Sequence, residues 1–116
     1  MNIIFEDSIT DEINKKYTLL PLDKIYSLEL DCVRTAYCAL SNISIAELMT
    51  LENYVDLHRN MINNYYNRNW SFCEQALEHL IGHWNGEVDT FYNHFAHRVQ
   101  FYKDNDPGED WDGVVR

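Results

Sequence analysis

In the second half of the chain, apolar side chains recur every three or four positions, which is the period of an amphipathic helix. Turn-forming residues interrupt the pattern, first at Asn67 and Asn69 and then at Asn85 and Gly86. The three resulting stripes are Leu48, Leu51, Val55, His58, Ile62 and Tyr65, then Cys73, Leu77, Leu80 and Trp84, then Val88, Phe91, Phe95, Val99 and Tyr102. They predict three antiparallel helices over residues 44–104, whose apolar faces must cover one another.

Three pairs of residues have the spacing of a capping box, in which a hydroxyl side chain at a helix start precedes an acidic residue by three positions. They are Ser8 with Asp11, Ser44 with Glu47, and Ser71 with Glu74. Each pair predicts the beginning of a helix, a short one near the amino terminus and two in the helical segment.

The first 43 residues follow a different pattern. The run NIIFE is short, apolar and β-branched, which predicts a strand, and DSITDEINKK after it predicts a short helix. Ile9, Ile13 and Tyr17 recur every four residues, so they are expected on one face of that helix.

The segment YTLLPLDKIYSLELDCVRTAYCAL fits two structures. A helical spacing connects Ile25, Leu28, Cys32, Ala36 and Leu40. The β-branched and aromatic content, the local alternation and Pro21 instead fit two strands, and proline is tolerated at a helix start or on an edge strand but not inside either element. The residues alone leave this choice open.

Composition and charge limit the classes of function. Nineteen acidic residues against nine basic ones give a formal net charge of −10, which opposes binding to a phosphate backbone, so nucleic acid is not an expected partner. The apolar run at the amino end is too short for a signal peptide or a membrane span, so a cytoplasmic protein with no membrane partner is expected. Cys32, Cys38 and Cys73 form no C-x-x-C pair, which argues against a disulfide framework or a structural zinc site.

Five segments occur in an order that resembles a known family. They are NIIFEDSIT, YTLLPLDKIYSL, VRTAYCAL, YNRNWSFCEQALEHL and DPGEDWDGVVR. Their order and distances resemble the carboxyl-terminal part of a bacterial class III adenylate or guanylate cyclase, in which the last strands of the catalytic domain continue into a tetratricopeptide-like tail. The closing DWDGV is the most specific element of this resemblance.

The resemblance implies two antiparallel strands, roughly Tyr17 to Leu28 and Cys32 to Leu40. The expected fold class is therefore α+β, with a β-α-β-β unit over residues 1–43, three helices over 44–104 and an acidic tail over 105–116, all in one compact domain. The resemblance also implies that Trp111 docks against the helices. Burying most of an indole is worth about 2 to 3 kcal/mol, enough to order a few residues. The alternative is a disordered tail in which Trp111 contacts a partner.

The family's metal-binding aspartates and its other catalytic residues lie upstream of the strand with which this chain begins, so none can be assigned here. The resemblance therefore implies a non-catalytic interaction or regulatory module that has no enzymatic activity and no cofactor. Tyr66, Phe72 and Tyr92 fall one position off the apolar stripes and are expected to be exposed. Together with Trp111 they are candidate contacts for a protein partner or for a second copy in a homodimer, which open strand edges would also favour.

A metal-binding helical protein or a metal-dependent enzyme is the alternative. His79 and His83 are four residues apart and His94 and His97 are three apart, so four imidazoles could converge between two helices. The chain has no H-E-x-x-H motif to accompany them. The spacing permits a metal site without indicating one.

Overall fold

The computed structural model describes residues 1–40 and 45–116, with side chains described for 1–40 and 52–116. The described chain has the α+β class that the sequence predicts. It divides into two compact units, Met1–Val55 with Val114–Arg116, and Asp56–Gly113. We refer to them as the sheet unit and the helical unit.

The sheet unit contains a four-stranded sheet in the order β1-β3-β2-β4. Strand β1 spans Ile3–Phe5, β2 spans Thr18–Ser27, β3 spans Cys32–Leu40 and β4 spans Val114–Val115. Strand β3 is antiparallel to both β1 and β2, whereas β4 runs parallel to β2. The segment that residue patterns left undecided is thus a β-hairpin, with bounds within one residue of the predicted strands.

The hairpin supplies the core of this unit. Its register pairs Thr18 with Leu40 at one end and Ser27 with Cys32 at the other, with an irregularity between Pro21 and Lys24. Alternate side chains of a strand point to opposite faces. The buried residues Leu20, Leu22, Ala36, Cys38 and Leu40 therefore share one face near the open end of the hairpin. Leu19 points to the opposite face and is buried as well.

A short helix α1 (Asp11–Lys16) precedes the hairpin, and its start differs from the prediction. The side chain of Thr10, not Ser8, caps α1 by accepting a hydrogen bond from the Ile13 amide at 3.2 Å. Ser8 ends a 3-10 turn instead, and Ile9 and Tyr17 lie outside α1. The prediction of one helical face with these residues is therefore wrong, because a six-residue helix is too short to include all three.

Three further helices follow, as predicted: α2 spans Ile45–Tyr66, α3 spans Trp70–Leu80 and α4 spans Asp89–Asp104. The helical unit begins at Asp56, inside α2. Its core contains the described stripe residues together with aromatic rings from the ends of the helices. The buried apolar residues of this unit are Met61, Ile62, Tyr65, Trp70, Cys73, Ala76, Leu77, Leu80, Trp84, Val88, Phe91, Tyr92, Phe95 and Val99.

The predicted starts of the helices in the second half of the chain are only partly testable. Helix α3 begins at Trp70, with Asn69 before it and no side-chain capping bond, so the capping box at Ser71 and Glu74 is wrong. The proposed cap at Ser44 lies outside the described residues. Trp84 follows the end of α3 and remains buried in the turns that lead to α4.

The domain prediction also needs correction, because the chain forms two compact units instead of one. The unit boundary lies at Val55 and Asp56, not near residue 43, and the tail is divided after Gly113. The apolar stripe of α2 continues through this boundary, so periodicity alone could not mark it. Within the described parts of the chain, every helix is too short or too polar to cross a lipid bilayer.

Candidate functional site

The four histidines of the metal hypothesis do not assemble into a binding site. His79, His94 and His97 are exposed, and His83 is half-buried with its ring 4.6 Å from that of Trp84. Among the described residues, no group of three or more His, Cys, Asp or Glu side chains is placed to hold a metal ion. The convergence that their spacing permitted is absent from the described structure.

Tyr92, one of the predicted surface aromatics, is fully buried, so the prediction that it is exposed is wrong. Its hydroxyl lies 2.9 Å from Nδ1 of His58 and accepts a hydrogen bond of 2.9 Å from Nε1 of Trp84. His58 is itself fully buried. Because an indole N–H can only donate, the tyrosine proton remains available to His58 Nδ1, an arrangement that suits a neutral imidazole.

This buried trio of His58, Trp84 and Tyr92 explains why a tyrosine occupies a position one step off the stripe. Its ring is part of the core, while its hydroxyl joins two other buried polar groups. Buried polar atoms that lack partners are costly, so the three side chains constrain one another's positions. The trio therefore serves the packing of the helical unit and offers no surface to a partner.

Trp111 lies against a cluster of aromatic rings at the ends of the helices. Its ring centroid is 4.9 Å from that of Tyr65, 5.2 Å from that of Tyr102 and 5.5 Å from that of Trp70. Tyr66 borders the same cluster at 6.4 Å. The indole is therefore docked on the helical unit, as the resemblance implied, and is left half-buried.

Asp106 fixes the start of the docked segment. One carboxylate oxygen accepts a hydrogen bond from Nη1 of Arg68 at 2.8 Å and another from the Gly108 amide at 2.9 Å. The other oxygen accepts from Nε1 of Trp70 at 3.2 Å. These contacts, with the Arg68 hydrogen bond as the largest cause, lower the pKa of Asp106 below its usual value of 3.8.

Gly113 closes the docked segment with a contact that excludes larger residues. Its φ of +72° lies in the left-handed region, and a Cβ atom there would come within 2.4 Å of the Tyr66 ring. We call the surface formed by Tyr65, Tyr66, Arg68, Trp70 and Tyr102 the tail seat. The segment on it, residues 105–113, contacts the seat at three positions in turn: the carboxylate of Asp106, the indole of Trp111 and the backbone of Gly113.

The other exposed feature lies in the sheet unit, at the turn between β2 and β3. We call residues 28–33 the hairpin apex. Leu28 is 87% exposed, Leu30 56% and Val33 48%, although all three are large apolar side chains. The turn itself is well ordered by polar contacts, since the Tyr26 hydroxyl donates to Asp31 and the Ser27 hydroxyl accepts from the Leu30 amide at 3.3 Å.

The hydrogen bond to Asp31 raises the pKa of Tyr26 above its usual value of 10.0, because it favours the protonated phenol. Asp31 adopts a φ of +48°, a left-handed conformation that aspartate tolerates better than most residues. The apex is therefore a fixed turn that presents apolar side chains to solvent.

The three cysteines differ in their environment. Cys38 and Cys73 are buried, while Cys32, within the hairpin apex, is exposed. Burial raises the pKa of the Cys73 thiol from 9.0 to about 12, which disfavours the reactive thiolate. A catalytic role for Cys73 is therefore inconsistent with its surroundings.

Sequence reasoning found Trp111 and missed its polar partners. Arg68 and Asp106 are 38 residues apart, and nothing in either local sequence indicates that they pair. Tyr66 and Phe72 are half-buried, so only part of each ring is open to solvent. The hairpin apex did carry a signal, since Leu30 lies between the two predicted strands, where polar residues are the norm, and Leu28 ends the first of them.

The comparison with known proteins gives no independent assignment. No family model, curated protein or solved structure matches the chain. The resemblance to the carboxyl-terminal part of a nucleotidyl cyclase therefore stays a prediction.

Proposed function

We propose that the chain is a non-catalytic protein-interaction module with a regulatory role, similar in layout to the carboxyl-terminal tail of a nucleotidyl cyclase. The observation that supports this most directly is the exposure of Leu28, Leu30 and Val33 at a hydrogen-bonded turn. Solvent-exposed apolar side chains that cluster on a fixed structure are characteristic of binding surfaces. The hairpin apex is the surface that we assign to the partner.

The size of the apex indicates the mode of binding. A stable interface between two folded proteins buries about 800 Å² on each side, more than three side chains provide. The apex is therefore suited to insert into an apolar groove on a partner, with surrounding residues completing the contact. The carboxylates of Glu29 and Asp31, which alternate with the two leucines, favour a groove with basic groups at its rim.

The proposal includes two further features. Self-association as a homodimer is one mode of interaction that we include, because β1 lies at an edge of the sheet and its Ile3 is exposed. A cytoplasmic location fits the exposed free thiol of Cys32, because exposed thiols persist in reducing compartments. Neither nucleic acid nor a membrane is proposed as a partner, given the net charge of −10.

The test compares three forms of the full chain in cells that express it: wild type, the double variant L28S/L30S and the control F101S. Phe101 is 60% exposed and belongs to the other unit, so F101S removes a comparable apolar side chain elsewhere. We expect at least one protein to co-purify with wild type and with F101S. The amount of that protein recovered with L28S/L30S should be at least tenfold lower. Identical enrichment with all three forms would refute the assignment of the apex.

The homodimer is tested separately by light scattering over a hundredfold range of protein concentration. A mass that rises toward twice 13.8 kDa supports self-association. A mass that stays at the monomer value throughout removes the homodimer and leaves a different protein as the partner.

A further inference from the structure

The segment on the tail seat is held by contacts at fixed positions. Asp106 binds Arg68 and the Trp70 indole, Trp111 packs among the aromatic rings, and Gly113 fits against Tyr66. Gly108 makes the turn between the first two positions, with a φ of +91° and its amide bonded to Asp106. The residues of the segment that contact the seat or form its turn therefore define a sequence motif, Asp-x-Gly-x-x-Trp-x-Gly.

Three of the intervening positions are acidic and exposed to solvent: Glu109, Asp110 and Asp112. Their negative charge is complementary to the basic residues around the seat, since Arg68 is part of it and the Arg98 guanidinium lies 5.9 Å from the Tyr65 ring. The seat therefore favours an acidic segment with one aromatic anchor, which is a recognised mode of peptide binding.

Two of the contacts that hold the segment, those of Asp106 and Trp111, are partly open to solvent. The Arg68 side chain is 29% exposed and that of Asp106 is 45% exposed, and ion pairs at such positions contribute little to stability. Trp111 is only half-buried. Covalent attachment keeps the segment near the seat at an effective concentration on the order of millimolar, so a partner segment must bind well or be abundant to replace it.

We propose that the tail seat is a peptide-recognition site, and that the chain's own residues 105–113 occupy it in competition with an acidic segment of a partner protein that carries the same Asp-x-Gly-x-x-Trp-x-Gly spacing. This inference rests on the proposed function as an interaction module and names a second surface and the chemistry of its partner. The tail then competes with the partner segment for the seat, so that only a partner of sufficient affinity or concentration binds.

The experiment uses the full chain and a fluorescein-labelled synthetic peptide with the sequence NDPGEDWDGV, residues 105–114 of the chain. Binding is measured by fluorescence anisotropy to wild type and to the full-length variant W111A. We expect W111A to bind the peptide at least tenfold more tightly than wild type, because its own tail has lost the indole that competes for the seat.

Variants of the peptide test the pattern that the seat reads. Replacement of the tryptophan by alanine or of the last glycine by alanine should each weaken binding at least tenfold. Replacement of the first aspartate by asparagine should weaken it by about fivefold, because an exposed ion pair contributes at most about 1 kcal/mol. The matched control is the peptide with Glu109→Gln, which removes a charge at an exposed position and should bind within threefold of the original. Equal binding of the peptide with Gly113→Ala would overturn the proposed recognition.

Folding of W111A is checked by circular dichroism, and the full-length variant D106N provides a second route if W111A does not fold. D106N keeps the indole but loses the carboxylate, so its affinity for the peptide should lie between those of wild type and W111A. Undetectable peptide binding to a folded variant overturns the proposal. A concentration-dependent dimer that W111A abolishes also overturns it, since the occupant would then be the tail of a second copy.

The outcome is separable from that of the hairpin apex. The variant L28S/L30S alters the sheet unit, and it should bind the peptide as wild type does. If the peptide does not bind but L28S/L30S loses the partner protein, the tail seat alone is rejected. If the peptide binds but L28S/L30S keeps the partner protein, the apex alone is rejected.

Discussion

Substitution of Tyr92 by phenylalanine tests the buried trio at the centre of the helical unit. The change removes one oxygen atom and leaves the ring, which is fully buried, in place. That oxygen bonds Nε1 of Trp84 at 2.9 Å and lies 2.9 Å from Nδ1 of His58, so the substitution takes a partner from two other buried polar groups. Each such group costs about 1 to 3 kcal/mol when its partner is removed, so we expect Y92F to lower the free energy of unfolding by about 2 to 6 kcal/mol.

The assay is reversible unfolding in urea, followed by circular dichroism, together with a thermal melt. For a chain of this size each kcal/mol lowers Tm by about 4 °C, so Y92F should melt about 8 to 24 °C below wild type. The matched control is Y102F, on the same helix, for whose hydroxyl the described structure gives no hydrogen bond. Y102F should stay within about 0.5 kcal/mol of wild type.

A loss below 0.5 kcal/mol in Y92F would refute the reasoning, because the hydroxyl would then not be satisfying two buried groups. Equal losses in Y92F and Y102F would do so as well. A large loss in Y92F alone would confirm that the tyrosine belongs to the interior, which rules out its predicted role as a surface contact.

Three further predictions concern the tail seat and the cysteines. Gly113→Ala should lower stability by about 1 to 3 kcal/mol in urea unfolding, because alanine strains a left-handed backbone and meets the Tyr66 ring; an unchanged midpoint would contradict the contact. Because the pKa of Asp106 is lowered, its contribution to stability is complete above pH 3.8 and is lost as pH falls through the lower folded-state value. The difference in stability between wild type and D106N should therefore shrink below pH 3.8, and a constant difference would argue against the ion pair. At pH 8, Ellman's reagent should modify Cys32 rapidly, whereas Cys73, whose pKa burial raises to about 12, should react only after unfolding; rapid reaction of both would place Cys73 nearer the surface.

Local patterns predicted the elements well where one apolar face determined them. The three helices and the amino-terminal strand occur near their predicted positions. The hairpin does so as well, although residue patterns left it undecided and only the resemblance implied two strands. Helix starts were less predictable, because Thr10 and Ser8 are both capable caps and only the path of the chain selects one. The boundary between the two units was not predictable either, since the stripe of α2 runs through Val55 without a break.

The candidate site also has one part that the sequence predicted and one part that it did not. Trp111 stood out because an indole within an acidic segment requires a contact, and the structure supplies one. The partners that complete the seat, Arg68 and Asp106, are far apart in the chain, and a charged pair on exposed positions has no signature in sequence. Tyr92 was assigned to the surface because periodicity describes one stripe per helix, whereas a helix end beside a buried turn can cover a second side.

The spacing of apolar residues along the chain determined the helices and the first strand. The hairpin fitted either a helix or two strands, and only the resemblance of its segments to a known family favoured two strands. The tail tryptophan needed cover because an apolar indole gains nothing in a solvated acidic segment. Only the tertiary structure decided which polar groups meet: the buried trio of His58, Trp84 and Tyr92, and the carboxylate that anchors the tail. Hydrogen bonds are directional and short-ranged, so their partners depend on how distant segments approach one another in space.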